Sequence, residues 1–485
     1  MGTPNTQLTR AASRQDAAPT AKLSARHIIF FVIAAAAPLG FAVGSIPLAI
    51  GRGGIGAPLM FFIAGVFLCV FALGYVAMSK FVPNAGAFFS YISVGLGRPL
   101  GVGIAFVATA AYAIIAVGSI GPFAVFAEQA MKGVFGVGVP WPVFALIAVV
   151  VAALLGQLNV ELNIRVLGVI MVAEVFVLAI LGVAVVIRGG ASGLSLEALS
   201  PSAIAGGQVG VLLLIVFAAF AGFESTALFR EEAKDAVRTL RRATTGSIAI
   251  IAVLQGFVAW FIVQAYGAMA VTTANQSPTE MFAHAASHYV GDWLSNTMSI
   301  LVAFSWFASV LAFHNATTRY LVALGRDRVV PAVLARRSRR TGAAWVAAAL
   351  LSAFVLIVIV ICIITGIDPY LELFILGSVP VAVSIPAMEC LTAVAVLAFF
   401  IRDRRGQSVW VAFVAPAVSA VVLAVVVVLV LTNMEFYTGQ KGAINWILPG
   451  INLVFLALGV GRAVWMKRRT PALYAEVGGR AVLES

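Results

Sequence analysis

Apolar runs of about 20 residues recur from one end of this chain to the other, separated by short polar or basic connections. Each run is long enough to cross ~30 Å of hydrocarbon as an α-helix. The pattern predicts twelve spans, near 28–50, 57–79, 99–130, 139–157, 166–187, 209–230, 244–271, 293–318, 343–366, 369–401, 407–432 and 443–464. The runs are unbroken rather than alternating, which argues against an outer-membrane barrel. Residues 1–25, rich in Thr, Ala, Gln and Ser, read as a disordered tail. Residues 189–208 read as a Gly- and Ser-rich connection, 272–291 as a connection holding a short helix around Pro278 to His288, and 467–485 as a second tail.

Two of the spans carry breaks in their pattern. The first contains Ala34-Ala-Ala-Ala-Pro38-Leu-Gly40-Phe-Ala-Val-Gly44, a proline followed by two glycines. Proline removes a backbone donor and clashes with the preceding turn, and glycine lowers the cost of unwinding. The sixth contains Phe217-Ala-Ala-Phe-Ala-Gly222-Phe-Glu224-Ser225. Two interrupted spans, five apart, are the trace expected of an inverted five-plus-five repeat. Glycine and proline are also common in membrane helices generally. Carboxylates at membrane depth are costly and face a cavity, a partner or an ion path. Glu174 interrupts the run 166–187, and Glu224 sits beside the weak point of the sixth span.

Composition agrees with a membrane chain. The 485 residues are 62% hydrophobic and only 10% charged, and the mean hydropathy is +1.06. A soluble domain of this composition could not cover its surface with polar groups. The net charge of +12 is a matter of topology rather than of nucleic acid. With the N-terminus inside, 27 of the 31 Lys and Arg residues fall on inner segments and 4 (Arg52, Lys132, Arg188 and Lys441) on outer ones. This asymmetry places both termini in the cytoplasm and supports the count of spans. Cys69, Cys362 and Cys390 all fall inside spans, so neither a disulfide framework nor a zinc site is expected. No cofactor is implied. Scarce lysine with abundant alanine and valine suggests a bacterial chain.

Three segments carry a family resemblance. Residues 82–101, from Val82-Pro-Asn-Ala-Gly86 to Arg98-Pro-Leu-Gly101, resemble the signature after the second span of the amino acid–polyamine–organocation (APC) superfamily. Residues 217–242, with Gly222-Phe223-Glu224 followed by Glu231-Glu232-Ala-Lys234-Asp235, resemble its sixth-span motif, and residues 318–331 resemble its motif after the eighth span. The Ala-Ala-Pro-Leu form of the first span looks like a bacterial, actinobacterial branch. The resemblance implies an all-α LeuT-type fold. Residues 26–190 would form the first inverted repeat, 205–405 the second and 406–466 two peripheral spans. It also implies a permease of the bacterial cytoplasmic membrane carrying an amino acid or related amine.

Roles for residues follow from that frame. A broken helix exposes backbone N–H groups at the start of its second half, where the dipole favours an anion. The stretch Pro38, Leu39, Gly40, Phe41 and Ala42 is therefore the candidate seat of a substrate carboxylate. Carbonyls around Phe217 to Ala221, Ala218 and Phe220 among them, are candidates for the substrate ammonium, with Gly222 at the same break also counted in the substrate site. Phe217, Phe220 and Phe223 can form a covering wall, or pack as ordinary phenylalanines among the 33 in the chain. Tyr112 can line the substrate path or simply pack.

Glu224 can carry a proton or tie the sixth span to a neighbour. In some proton-coupled members a lysine stands where a sodium ion would bind, at what looks like the equivalent of position 174. Arg165-Val-Leu-Gly-Val-Ile-Met-Val-Ala-Glu174 places an acid there, so a lysine mechanism does not transfer. Glu174 can hold a proton or contribute to a cation site. Ser305 and Ser309, four apart on one helical face, are the residues a sodium mechanism would use, but they make no convincing sodium site, so proton-coupled symport by alternating access is the expectation. Glu389 and His314 receive no role.

Other classes fit less well. An enzyme needs nucleophile, base or metal ligands at one depth, whereas the four histidines and three cysteines are scattered. A channel needs a filter or pore repeat, and none is visible. An exchanger, a potassium transporter of the same superfamily and a transport-inactive sensor stay open. The outer halves of spans 1 and 6 show no charged residue, which favours a neutral or apolar amino acid.

Overall fold

A computed structural model describes residues 24–82, 88–157, 160–224, 226, 235–338 and 341–478. Of the sequence expectations, the tail before residue 24, Ser225, the acidic pair Glu231-Glu232, Lys234 and residues 83–87 lie outside the described residues. The described residues are mostly helical, with no strand among them. The elements are α1 (Ala25–Ala35), α2 (Pro38–Leu48), α3 (Ala57–Ser79), α4 (Phe88–Gly95), α5 (Arg98–Gly118), α6 (Ile120–Phe135), α7 (Trp141–Leu155), α8 (Val160–Ile187), α9 (Pro201–Ala205) and α10 (Val209–Ala219). They continue with α11 (Ala236–Tyr266), α12 (Ala270–Gln276), α13 (Met281–Tyr289), α14 (Asp292–Arg326), α15 (Trp345–Thr365), α16 (Gly377–Arg402), α17 (Ala415–Thr432), α18 (Met434–Thr438), α19 (Ile444–Arg469) and α20 (Pro471–Glu476).

Among the described residues, nine helical stretches are long and apolar enough to cross a membrane. They correspond to nine of the expected spans. The other three are the broken first segment, the 15-residue α7 and the 11-residue α10. The expected span 99–130 is a pair of helices, α5 and α6, meeting at Ser119. The short helix expected near 278–288 is α13.

The first interruption forms, and among the described residues the helix of the sixth span stops short of its expected length. The residue before a proline is pushed out of the α region. Ala37 leaves the right-handed helical region for the left-handed one, at φ 45°, ψ 70°, which is uncommon for a residue other than glycine, and Pro38 starts α2. The break thus falls at Ala36–Ala37, immediately before the stretch expected to unwind. α10 ends at Ala219, and Gly222 at φ +106° makes the turn that follows. That conformation is open to glycine and strained for other residues.

α14 is the central strut, packing on α1, α2, α5, α6 and α8. α1 and α2 are enclosed by α8, α11 and α14, and α10 lies against α2, α3, α16 and α17. α19 runs along α5 at the edge and is the least enclosed of the long helices. Its outward side chains Leu453, Val454 and Leu458 are 57–68% exposed. Apolar surface of this kind, repeated on α15 and α17, belongs against lipid rather than water. Residues 471–478 are packed down, with Val477 buried in a cluster with Phe89, Val102, Leu324 and Met466.

Candidate functional site

The helix break before Pro38 leaves the first amides of α2 without partners inside the helix. Side chains from two other helices take them. Leu39 N–H donates to Glu174 Oε2 at 3.2 Å, and Gly40 N–H donates to Ser305 Oγ at 2.9 Å. Ser305 in turn donates to Glu174 Oε2 at 2.8 Å. The α2 N-terminus is thus pinned to α8 and α14 by one carboxyl and one hydroxyl. On its other side, Gln255 Nε2 donates to the Pro38 carbonyl at 3.1 Å. Phe41 N–H is satisfied by the Ala37 carbonyl at 2.7 Å.

The second break is built on the other acid. Glu224 is fully buried and lies just past the end of α10. Its Oε2 accepts from Gly222 N–H at 3.0 Å, and its Oε1 accepts a short bond from the Tyr112 hydroxyl. Tyr75 OH donates to the Glu224 carbonyl at 3.0 Å. Tyr112 and Tyr320 stack edge to face with centroids 5.4 Å apart. The Phe217, Ala218 and Phe220 carbonyls accept from Phe220, Ala221 and Phe223 at 3.1, 3.2 and 3.3 Å. Each retains a second lone pair.

Between the breaks lies a cavity of about 110 Å³. Ala35 to Ala37 and Phe41 line it from the first break, and Phe217, Ala218 and Ala221 from the second. Phe313, Phe374, Ile215 and Ile385 make the remaining wall largely apolar. Its polar groups are the hydroxyls of Ser45, Ser309, Ser378 and Tyr437 and the indole of Trp306. Among the described residues, no charged side chain lines it. The Trp306 Nε1 donor is buried without a hydrogen-bond partner among the described residues.

Of the residues expected at the site, Phe41, Phe217, Ala218, Ala221 and Ser309 line the cavity. Pro38, Leu39, Gly40 and Ala42 stand behind that wall, with the Leu39 and Gly40 amides already engaged. Phe220, Gly222 and Phe223 also lie outside it, Phe223 packing edge to face on Phe71. Tyr112 holds Glu224 rather than the cavity. Ser305 and Ser309 separate: the first binds Glu174, the second sits 3.3 Å from the Ser119 hydroxyl. His314 meets Ser352 at 2.9 Å. Glu389 is buried, and its Oε2 has no hydrogen-bond partner among the described residues.

Sequence reasoning did not single out Trp306, Gln255, Ser45 or Ser378. A glutamine in an otherwise apolar span was the available signal for Gln255. Nothing in the pattern distinguishes Trp306, because its importance lies in facing Gly40 and Gly44 from another helix. Added Cβ atoms there would stand 3.1 and 2.9 Å from the indole.

Residues 23–456 match the family described as "Amino acid permease". The chain is 27% identical over 306 residues to the "Branched-chain amino acid permease BcaP" of Lactococcus lactis subsp. cremoris (strain MG1363), a match covering 59% of this chain and 64% of that protein. It is 25% identical over 171 residues to the "Cationic amino acid transporter 7, chloroplastic" of Arabidopsis thaliana, covering 34% of this chain and 27% of that one. The matches thus span less than two thirds of either relative's own length. The family match, by contrast, runs from the start of α1 into α19, across both helix breaks and the cavity between them. This multi-pass membrane chain belongs to the amino acid permease family.

Proposed function

We propose that the chain is a secondary transporter, not an enzyme, that moves a neutral apolar amino acid across a bacterial cytoplasmic membrane by alternating access coupled to protons. The observation that carries this is the pairing of one buried carboxyl with each helix end beside an apolar cavity. Broken helices around a central site are how transporters present backbone groups to a substrate. In this reading residues 26–190 and 205–405 are the two inverted repeats, 406–466 are peripheral, and both tails are cytoplasmic.

A proton on either carboxyl alters the break it holds. An ionised carboxylate accepts hydrogen bonds only, whereas a protonated one must place a donor. Protonation of Glu174 weakens its hold on the Leu39 amide and the Ser305 hydroxyl and loosens the start of α2. Protonation of Glu224 does the same to Gly222 and Tyr112 at the end of α10. Protons suit these sites better than sodium does. At Glu174 the groups converging on the acid are two donors, an amide and a hydroxyl, and a cation would need oxygen lone pairs in their place.

The cavity supports the substrate class. With no charge on its wall, a cationic or anionic side chain would be desolvated without a partner. A branched apolar side chain fills such a wall well, as the name of the Lactococcus relative suggests. The free Trp306 N–H and the serine hydroxyls are the groups offered to the substrate's polar end.

The test is uptake into proteoliposomes. With an inward proton gradient, a branched-chain amino acid should accumulate; a sodium gradient alone should drive none. Response to sodium and not to protons would transfer the coupling role to Ser305 and Ser309. Response to neither would make the protein an exchanger or facilitator.

A further inference from the structure

Where α14 and α19 end, a groove of about 590 Å³ opens between the loop after α14 and the last turns of α19. It is lined by Arg328, Val329, Pro331, Arg462, Trp465 and Leu473 among others, and among the described residues no acidic side chain faces it. Arg462 is fixed in place. Its Nε donates to the Val329 carbonyl at 2.7 Å and its Nη2 to the Arg328 carbonyl at 3.3 Å. Its guanidinium stacks on Trp465, 4.4 Å from the ring centroid. Arg328 is held at φ 54° just past the end of α14, where Val329 N–H closes back on the Leu324 carbonyl at 2.9 Å. Glycine suits that position, and an L side chain there is strained. The arginine therefore costs folding free energy, and its exposed guanidinium has no acceptor among the described residues. Two cations converge on one groove without an anion.

The level of the groove in the membrane can be read from α19. Val454, Leu458, Gly461 and Trp465 follow one another on a single face of the helix. The first two are 59% and 57% exposed and Trp465 is 48% exposed. Lys467, Arg468 and Arg469 come next. Apolar, then aromatic, then basic is the order met on leaving hydrocarbon for the headgroup layer. Gly461 has open space where a side chain would stand, so the lipid-facing surface is a shallow trough leading to the groove. Guanidinium groups bind phosphate oxygens through paired donors, and basic pockets at this depth take anionic headgroups.

We propose that this groove binds an anionic phospholipid, with the headgroup phosphate between Arg328 and Arg462 and an acyl chain along Val454, Leu458 and Gly461. The site is independent of the central cavity. The test uses full-length protein in a neutral detergent, with melting temperature followed against phosphatidylglycerol, phosphatidylcholine and inorganic phosphate at matched ionic strength. Phosphatidylglycerol should raise the melting temperature more than either of the others. Arg328→Gly removes the guanidinium and relieves the backbone, so without lipid it should melt no lower than wild type and yet lose the phosphatidylglycerol increment. Gly461→Phe fills the trough from the lipid side and should also reduce that increment. Equal shifts from the two lipids, a full shift from inorganic phosphate, or an undiminished increment in both variants would overturn the proposal.

Discussion

Glu224 is the residue on which most of the geometry turns, because side chain and backbone are both in use. Its carboxyl binds Gly222 and Tyr112, and its carbonyl binds Tyr75. Glutamine there keeps the volume and an acceptor but cannot release a proton. Glu224→Gln is expected to abolish proton-driven accumulation in proteoliposomes while exchange of bound substrate persists; loss of both would assign the residue to substrate binding instead. Tyr112→Phe removes one buried hydrogen bond to a carboxyl, worth about 1.5–3 kcal/mol, and should lower the melting temperature without closing the cavity. Trp306 makes a second case. Gly44→Ala places a Cβ 2.9 Å from its ring, and Gly40→Leu extends into the contact 3.1 Å from it. Overpacking of this kind costs about 1–3 kcal/mol. Substrate binding, measured by titration calorimetry, should weaken by about tenfold or more in each. Unchanged affinity in a folded Gly40→Leu protein would move the substrate away from α2.

The first span is two helices because Ala37 and Pro38 cannot continue one, and α2 is then free to be held by its neighbours. The C-terminal element is held in the same manner. Arg98 donates to the Val477 carbonyl at 3.0 Å and the Ala475 carbonyl at 2.8 Å, and Gly478 N–H donates to Asp327 Oδ2 at 3.1 Å. Arg98→Ala leaves two carbonyls without donors and should expose residues 471–478 to protease, which a cleavage time course would show. Asp327 lies beyond the end of α14. Burial pushes its pKa above the usual aspartate value, and the Gly478 amide and Arg326 pull it partly back. A raised folded-state pKa contributes stability that is complete below the unfolded value and lost as pH rises through the folded one. Asp327→Asn keeps an acceptor for Gly478 and carries no charge. It should melt above wild type at neutral pH and converge with it near pH ~3.5, below the ordinary aspartate value. A pH-independent difference would exclude ionisation as the cause.

Across the bilayer the chain is organised by charge. If the basic connections lie inside, a cysteine at Arg336, which is exposed, should react with an impermeant reagent only after the cells are opened. Reaction in intact cells would invert the topology, and with it the assignment of both tails. The same arrangement sets the groove beside Arg328 in the leaflet that meets the basic loops.

Apolar run length and the placement of Pro38, Gly40 and Gly222 were enough to predict a helical membrane chain with two interrupted spans, because hydrocarbon permits few solutions for an unsatisfied backbone. Glu174 and Glu224 stood out for the same reason: a carboxyl in an apolar run demands a partner. The identity of that partner was not local information. Glu174 meets Leu39 and Ser305 across 135 and 131 residues of sequence, and Tyr112 meets Glu224 across 112. Trp306 lines the cavity only because α14 passes the glycine face of α2. Periodicity records which groups must be buried or bonded, since that depends on the solvent around each segment. Which amide, hydroxyl or indole meets them depends on how the helices pack, and packing brings together residues that no short stretch of sequence contains.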